Sequence, residues 1–130
     1  MSEANAESVF AKRILVVEDE PPVSKSLKML LNMKGYEVAI AENATLALEM
    51  FGRDKYDLVI TDYALGTMTG LDLSRVIRER LPKQPIIMIS AYAEMLRGKQ
   101  ERLVNIDRLL GKPFSIEELL EAISGVFQPR

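Results

Sequence analysis

Arg13-Ile14-Leu15-Val16-Val17-Glu18-Asp19-Glu20-Pro21-Pro22 carries the reading that decides the fold. Its apolar, β-branched run, Ile14 to Val17, reads as a strand covered on both faces. Three acids follow where that strand would end. Two prolines then suit the first turn of a helix, where a missing backbone N–H leaves no partner unsatisfied. Strand, acidic edge and helix thus follow one another without a linker.

The same alternation continues downstream. Further strand-like runs are Glu37–Ala41, Leu58–Thr61, Ile86–Ile89 and Arg108–Leu110. Between them lie helical spacings. Val23, Leu27, Leu30, Leu31 and Lys34 form the first, with Gly35 as its stop. Leu46, Ala47, Leu48, Met50 and Phe51 follow Asn43, an N-cap residue type. Leu73, Val76, Ile77 and Leu81 follow Thr69, whose partner Asp72 imitates a capping box. A polar helix is expected from about Ala93 to Val104. The last helix opens on the capping box Ser115-Ile116-Glu117-Glu118 and continues through Leu119, Leu120, Ile123 and Val126.

Five βα units with right-handed crossovers give a parallel sheet with helices on both faces. The expected fold class is therefore α/β: a (βα)5 flavodoxin-like three-layer sandwich whose five-stranded parallel sheet runs in the order 2-1-3-4-5. Residues 1–12 read as a polar amino-terminal arm, a loose segment or a short helix, and residues 13–128 as one domain. Ligands of such sheets bind at the carboxyl ends of the strands, at the switch point between strands 1 and 3. Glu18, Asp19 and Asp62 fall at those two ends.

Composition narrows the chemistry. The chain has 130 residues, 48% of them hydrophobic, which supports a single domain with a real core. Its net charge of -2, with both signs mixed, gives no basic grip for nucleic acid or an anionic membrane. No apolar run reaches the ~20 residues of a membrane span. The polar start has no signal-peptide pattern, so a cytoplasmic protein is expected. There is no cysteine and no histidine. Disulfides, thiolate metal sites, a Ser-His-Asp triad and a phosphohistidine donor are excluded for this chain acting alone. Phosphorus chemistry here would rest on oxygen ligands and lysine.

The polar groups at the strand ends form a set. Asp62 is a carboxylate able to attack phosphorus and form an acyl phosphate. Asp19 and Asp62 suit direct ligation of magnesium or manganese. The backbone carbonyl of Ala64 could complete the set, and the longer Glu18 would act through water. Lys112, in Gly111-Lys112-Pro113-Phe114, can pair with Asp62 and later with phosphate oxygens. Ser90, after Ile86-Ile87-Met88-Ile89, can donate to a phosphoryl oxygen. Taken singly, each has a plain alternative as a strand-ending or surface polar residue. Glu20 reads as surface or as a first-turn acid. Gly66-Thr67-Met68-Thr69-Gly70 is a flexible turn and not a phosphate-cradling glycine loop.

Val16-Val17-Glu18-Asp19-Glu20, Asp57-Leu58-Val59-Ile60-Thr61-Asp62, Gly70, Ile89-Ser90-Ala91 and Lys112-Pro113-Phe114, in this order and spacing, resemble the receiver domain of bacterial two-component response regulators. The resemblance covers Arg13 to Phe127. It implies that Asp62 is the phosphoacceptor, charged by a sensor histidine kinase or a histidine phosphotransfer protein. It implies that Glu18, Asp19 and Asp62 hold magnesium. It also implies that Lys112 and Ser90 bind the phosphoryl group, and that Ser90 moves once the group arrives. Such a domain is a switch and not an enzyme. It would be a monomer or weak dimer that passes its signal to a downstream protein through the fourth helix, fifth strand and fifth helix.

Three positions depart from the family pattern. Leu109 stands where an aromatic ring is usual, three residues before the lysine. Gly66 stands where proline is usual, four residues after the phosphoacceptor. The acidic pair is Glu-Asp. Two other functions remain open on the sequence. One is an interaction module that never uses its pocket; the other is a magnesium-dependent phosphohydrolase, which lacks a histidine for acid–base work.

Overall fold

A computed structural model describes residues 12–99 and 103–128; the expected arm over residues 1–12 lies almost wholly outside them. The elements are β1 (Arg13–Val17), α1 (Pro21–Met33), β2 (Glu37–Ala41), α2 (Ala44–Arg53), β3 (Leu58–Asp62), α3 (Gly70–Arg80), β4 (Ile86–Ser90), α4 (Ala93–Arg97), β5 (Arg108–Gly111) and α5 (Ile116–Phe127). All strand pairs are parallel, in the order β2-β1-β3-β4-β5. The expected flavodoxin-like sandwich is the observed one.

Strand alternation divides the core into two layers. Leu15, Val17 and Val59 pack with Ala47 and Phe51 of α2 and with Leu73 and Ile77 of α3. Ile14, Val16, Leu58, Ile60, Ile87 and Ile89 face the other way, against Leu27 and Leu31 of α1 and Leu119 and Ile123 of α5. Burying each such large side chain contributes about 1.5–3 kcal/mol.

Local chemistry sets the helix ends. The Leu46 amide donates to Asn43 Oδ1 at 2.7 Å, starting α2. Thr69 with Asp72, and Ser115 with Glu118, form complete capping boxes at α3 and α5. Gly35 follows α1 at φ 95, a left-handed conformation that suits glycine. The fourth helix is shorter than its sequence suggested. It closes at Arg97, and the Gly98 amide turns back to Leu96 and Met95. Glycine after a five-residue helix favours termination, and Val104 lies in a turn beyond it.

Candidate functional site at the carboxyl edge of the sheet

Register brings the strand ends together. Val17 of β1 lies opposite Thr61 of β3, so Glu18 and Asp62 are the next neighbours along that edge. Asp62 pairs with Ile89 of β4, and Ser90 with Gly111 of β5. Lys112 follows directly, and its amide donates to the Ser90 carbonyl at 2.9 Å. Four elements thus deliver Glu18, Asp62, Ser90 and Lys112 to one place.

Glu18 is 3% exposed, whereas Asp19 beside it faces solvent. Glu18 continues the alternation of Ile14 and Val16, which turns it inward. The Glu20 amide donates to Glu18 Oε2 at 3.2 Å. Glu20 is the exposed N-cap residue of α1, and its side chain makes no capping bond. Oxygens of Glu18, Asp19 and Asp62 all lie within 4.8 Å of one another, a set that could hold a metal ion.

Asp62 is 8% exposed. Lys112 Nζ lies 3.3 Å from Asp62 Oδ1 and 3.8 Å from Glu18 Oε1. The Tyr63 amide donates to the same Oδ1 at 3.0 Å. Both contacts are to Oδ1, and no hydrogen bond reaches Oδ2 among the described residues. Burial and the neighbouring Asp62 push the Glu18 carboxyl up to about 7, despite the opposing pull of Lys112. Burial likewise raises Asp62, with Lys112 working against it. For Lys112, burial favours the neutral amine, but Asp62 and Glu18 outweigh it and hold the ammonium above its usual range.

The loop after Asp62 is pinned from both ends. The Tyr63 amide also reaches the Ile89 carbonyl at 2.8 Å, and the Gly70 amide donates to the Tyr63 carbonyl at 2.7 Å. A Cβ on Gly70 would collide with the Asp62 carbonyl oxygen, so only glycine lets α3 begin this close. Gly66, in the same loop, has φ 88, which proline cannot adopt. The departure at Gly66 therefore carries its own backbone path. The Lys112–Pro113 peptide is cis.

Asp19, Asp62, Ser90 and Lys112 wall a cleft of about 300 Å3, together with Ala64 and Tyr92, and Glu18 lies outside its lining. A larger groove, about 640 Å3, lies at the opposite edge beside Tyr56, Leu81, Pro85 and Phe127. Its described lining has one acid, Asp57, against Lys12 and Lys83. Size favours the groove, but convergent charge favours the cleft, and convergent polar groups mark a site better than volume does. Each site residue read from the sequence reaches this edge. Tyr63 was missed; its one signal was its place directly after Asp62. Its ring meets Tyr92 edge-on, with centroids 6.1 Å apart.

A family model described as "Response regulator receiver domain" matches residues 14–124. The chain belongs to this family. The receiver domain is 33% identical to the response regulator MprA of Mycobacterium leprae over 116 residues, 89% of this chain and 51% of that protein. It is 32% identical to the chemotaxis protein CheY of Pseudomonas aeruginosa, covering 89% of this chain and 96% of that one. The chain spans about half the length of several curated relatives it matches. Among solved structures it resembles the response regulator protein TrrA of Thermotoga maritima in complex with Mg2+-BeF. That likeness has a TM-score of 0.82 and 35% identity, covering 89% of this receiver domain and 99% of that chain. Among the described residues, no helix is long and apolar enough to cross a membrane.

Proposed function

We propose that Asp62 is the phosphoacceptor of this receiver domain, with residues 13–128 as the switching unit. The observation that carries the reading is the pairing of Asp62 with Lys112 at 3.3 Å beside two further carboxylates. An Asp62 oxygen attacks the phosphorus of a phosphohistidine on a partner kinase or phosphotransfer protein. The new P–O bond forms as the P–N bond to the imidazole breaks. The partner's histidine supplies what this chain lacks.

The donor set fits a hard divalent cation. All three candidate side chains offer carboxylate oxygen, and the exposure of Asp19 leaves room for retained waters. Bound magnesium or manganese would neutralise charge building on the phosphoryl oxygens. Asp19 and Asp62 would hold it, with the Ala64 carbonyl; Glu18 sits behind them. Lys112 then moves its charge from the Asp62 carboxylate to a phosphoryl oxygen, and the Ser90 hydroxyl donates to another. The work is positioning and charge compensation. The domain changes a protein-binding face and turns over no substrate, consistent with a cytoplasmic role.

Intact-mass measurement after incubation with phosphoramidate and magnesium tests this reading. One phosphoryl adduct per chain is expected, and none in Asp62→Asn. If wild type takes no adduct with magnesium or manganese, the acceptor role is lost and a passive interaction module becomes the better account. Repeated turnover of a phosphoester would instead indicate a hydrolase.

A further inference from the structure

We infer that Tyr92 reports the phosphorylated state in place of the missing ring at position 109, with the Ser90 hydroxyl as the latch that holds it; this rests on the phosphoacceptor reading of Asp62. Ser90 is 1% exposed, and its Oγ accepts the Tyr92 amide at 2.8 Å. Among the described residues that hydroxyl makes no bond to Asp62. It is turned towards its own loop.

The Ser90 proton is free to donate while Oγ accepts the Tyr92 amide, but Oγ sits against its own loop and not against Asp62, so in this relay it moves to reach a new phosphoryl oxygen. Either the hydroxyl rotates and releases the Tyr92 amide, or the loop moves with it. Tyr92 is the N-cap residue of α4, and no side chain of its own caps the helix. Release of its amide therefore loosens the entry to a helix of only five residues.

The ring is placed to register that change. Tyr92 is 55% exposed, and its ring stands at 69° to that of Tyr63. The Tyr63 backbone is anchored apart from the latch, its amide held by Asp62 Oδ1 and the Ile89 carbonyl. One ring thus belongs to the acceptor's loop and the other to the latch's loop. A shift of the latch alters their edge contact directly. Leu109 is a half-buried aliphatic side chain on β5 and has no ring to exchange.

The four tyrosines, Tyr36, Tyr56, Tyr63 and Tyr92, make the test direct. The whole chain is labelled with 3-fluorotyrosine, its 19F lines are assigned by single Tyr→Phe variants, and magnesium with beryllofluoride is added as the phosphoryl mimic. The Tyr92 and Tyr63 lines are expected to move, while Tyr36 and Tyr56, at the opposite edge of the sheet, stay in place. Ser90→Ala should place the Tyr92 line near its loaded position before any mimic is added. Ser90→Thr, which keeps the hydroxyl, should restore the wild-type response. Bound beryllofluoride with an unmoved Tyr92 line overturns the relay alone. So does a Ser90→Ala variant whose Tyr92 line moves as far as wild type. Absence of any bound-fluoride resonance, together with no phosphoramidate adduct, overturns the acceptor reading and the relay with it.

Discussion

At the amino-terminal edge of the sheet, Asp57 Oδ2 receives the Arg13 amide at 2.7 Å, and Asp107 Oδ2 receives the Ile86 amide and the Arg78 guanidinium, each at 2.8 Å. At the carboxyl-terminal edge, Glu18 and Asp62 share one described cation, Lys112, and Asp19 lies beside them with no ion pair among the described residues. The first edge matches its acids to donors and ties strands together. The second concentrates like charge beyond what its lysine offsets. Repulsion between close carboxylates lowers stability unless a proton or a cation intervenes. One edge thus ties strands together, and the other gathers charge that its lysine does not fully offset.

The largest effect that could break this contrast is on pH dependence. Glu18 binds its proton more tightly in the folded chain, with a pKa of about 7 against 4.5. Between those values the folded state carries more protons than the unfolded one, so stability falls as pH rises. The loss approaches about 3 kcal/mol by pH 8, and the raised Asp62 adds in the same direction. Thermal midpoints without metal should therefore be higher at pH 5.5 than at pH 8. Saturating magnesium should raise the midpoint more at pH 8, where the carboxylates are charged. Glu18→Gln should flatten the profile. A metal-free midpoint that is level or rising across this window would mean that neither burial nor like charge penalises the ionised edge.

Next in size is Asp107→Ala at the other edge. It removes the side-chain partner of both the Ile86 amide and Arg78. Hydrogen bonds to a charged group are each worth about 1.5–3 kcal/mol, less where water can substitute. A loss of about 2 kcal/mol is expected in urea unfolding, with no change in the magnesium effect. If the variant altered magnesium binding, the two edges could not be treated as separate.

Most of the fold was legible because its signals are local. Asn43, the Thr69/Asp72 and Ser115/Glu118 boxes and Gly35 each act within one turn, and each stands where the sequence placed it. The carboxylates were legible because each follows an apolar strand. Three features were less so. The early end of α4 depends on how Gly98 competes with a polar helix pattern, a balance of small terms. The inward turn of Glu18 follows from strand alternation carried one residue past the strand. The meeting of Tyr63 and Tyr92 depends on two loops becoming neighbours after β3 and β4 pair, and no sequence period encodes that.

The smallest expected effect sharpens where the amino edge gets its strength. Arg13 lies 3.6 Å from Glu37, with side chains 42% and 54% exposed. Exposed pairs at such distances contribute about 0.2–1 kcal/mol, because water screens them and both side chains lose freedom. Arg13 is unsuited to the test, since it also reaches the Lys55 carbonyl and lies over the Tyr56 ring. Glu37→Ala removes only the outer partner. A change below about 0.5 kcal/mol is expected, measured by urea unfolding beside Asp107→Ala. A loss comparable with Asp107→Ala would place the strength of this edge in exposed charge pairs. A small loss places it where an acid grips a strand's backbone amide, as Asp57 and Asp107 do. The carboxyl edge is then distinguished by its clustered acids: among the described residues Glu18 and Asp62 each accept one neighbouring amide, Asp19 accepts none, and the three lie within 4.8 Å of one another.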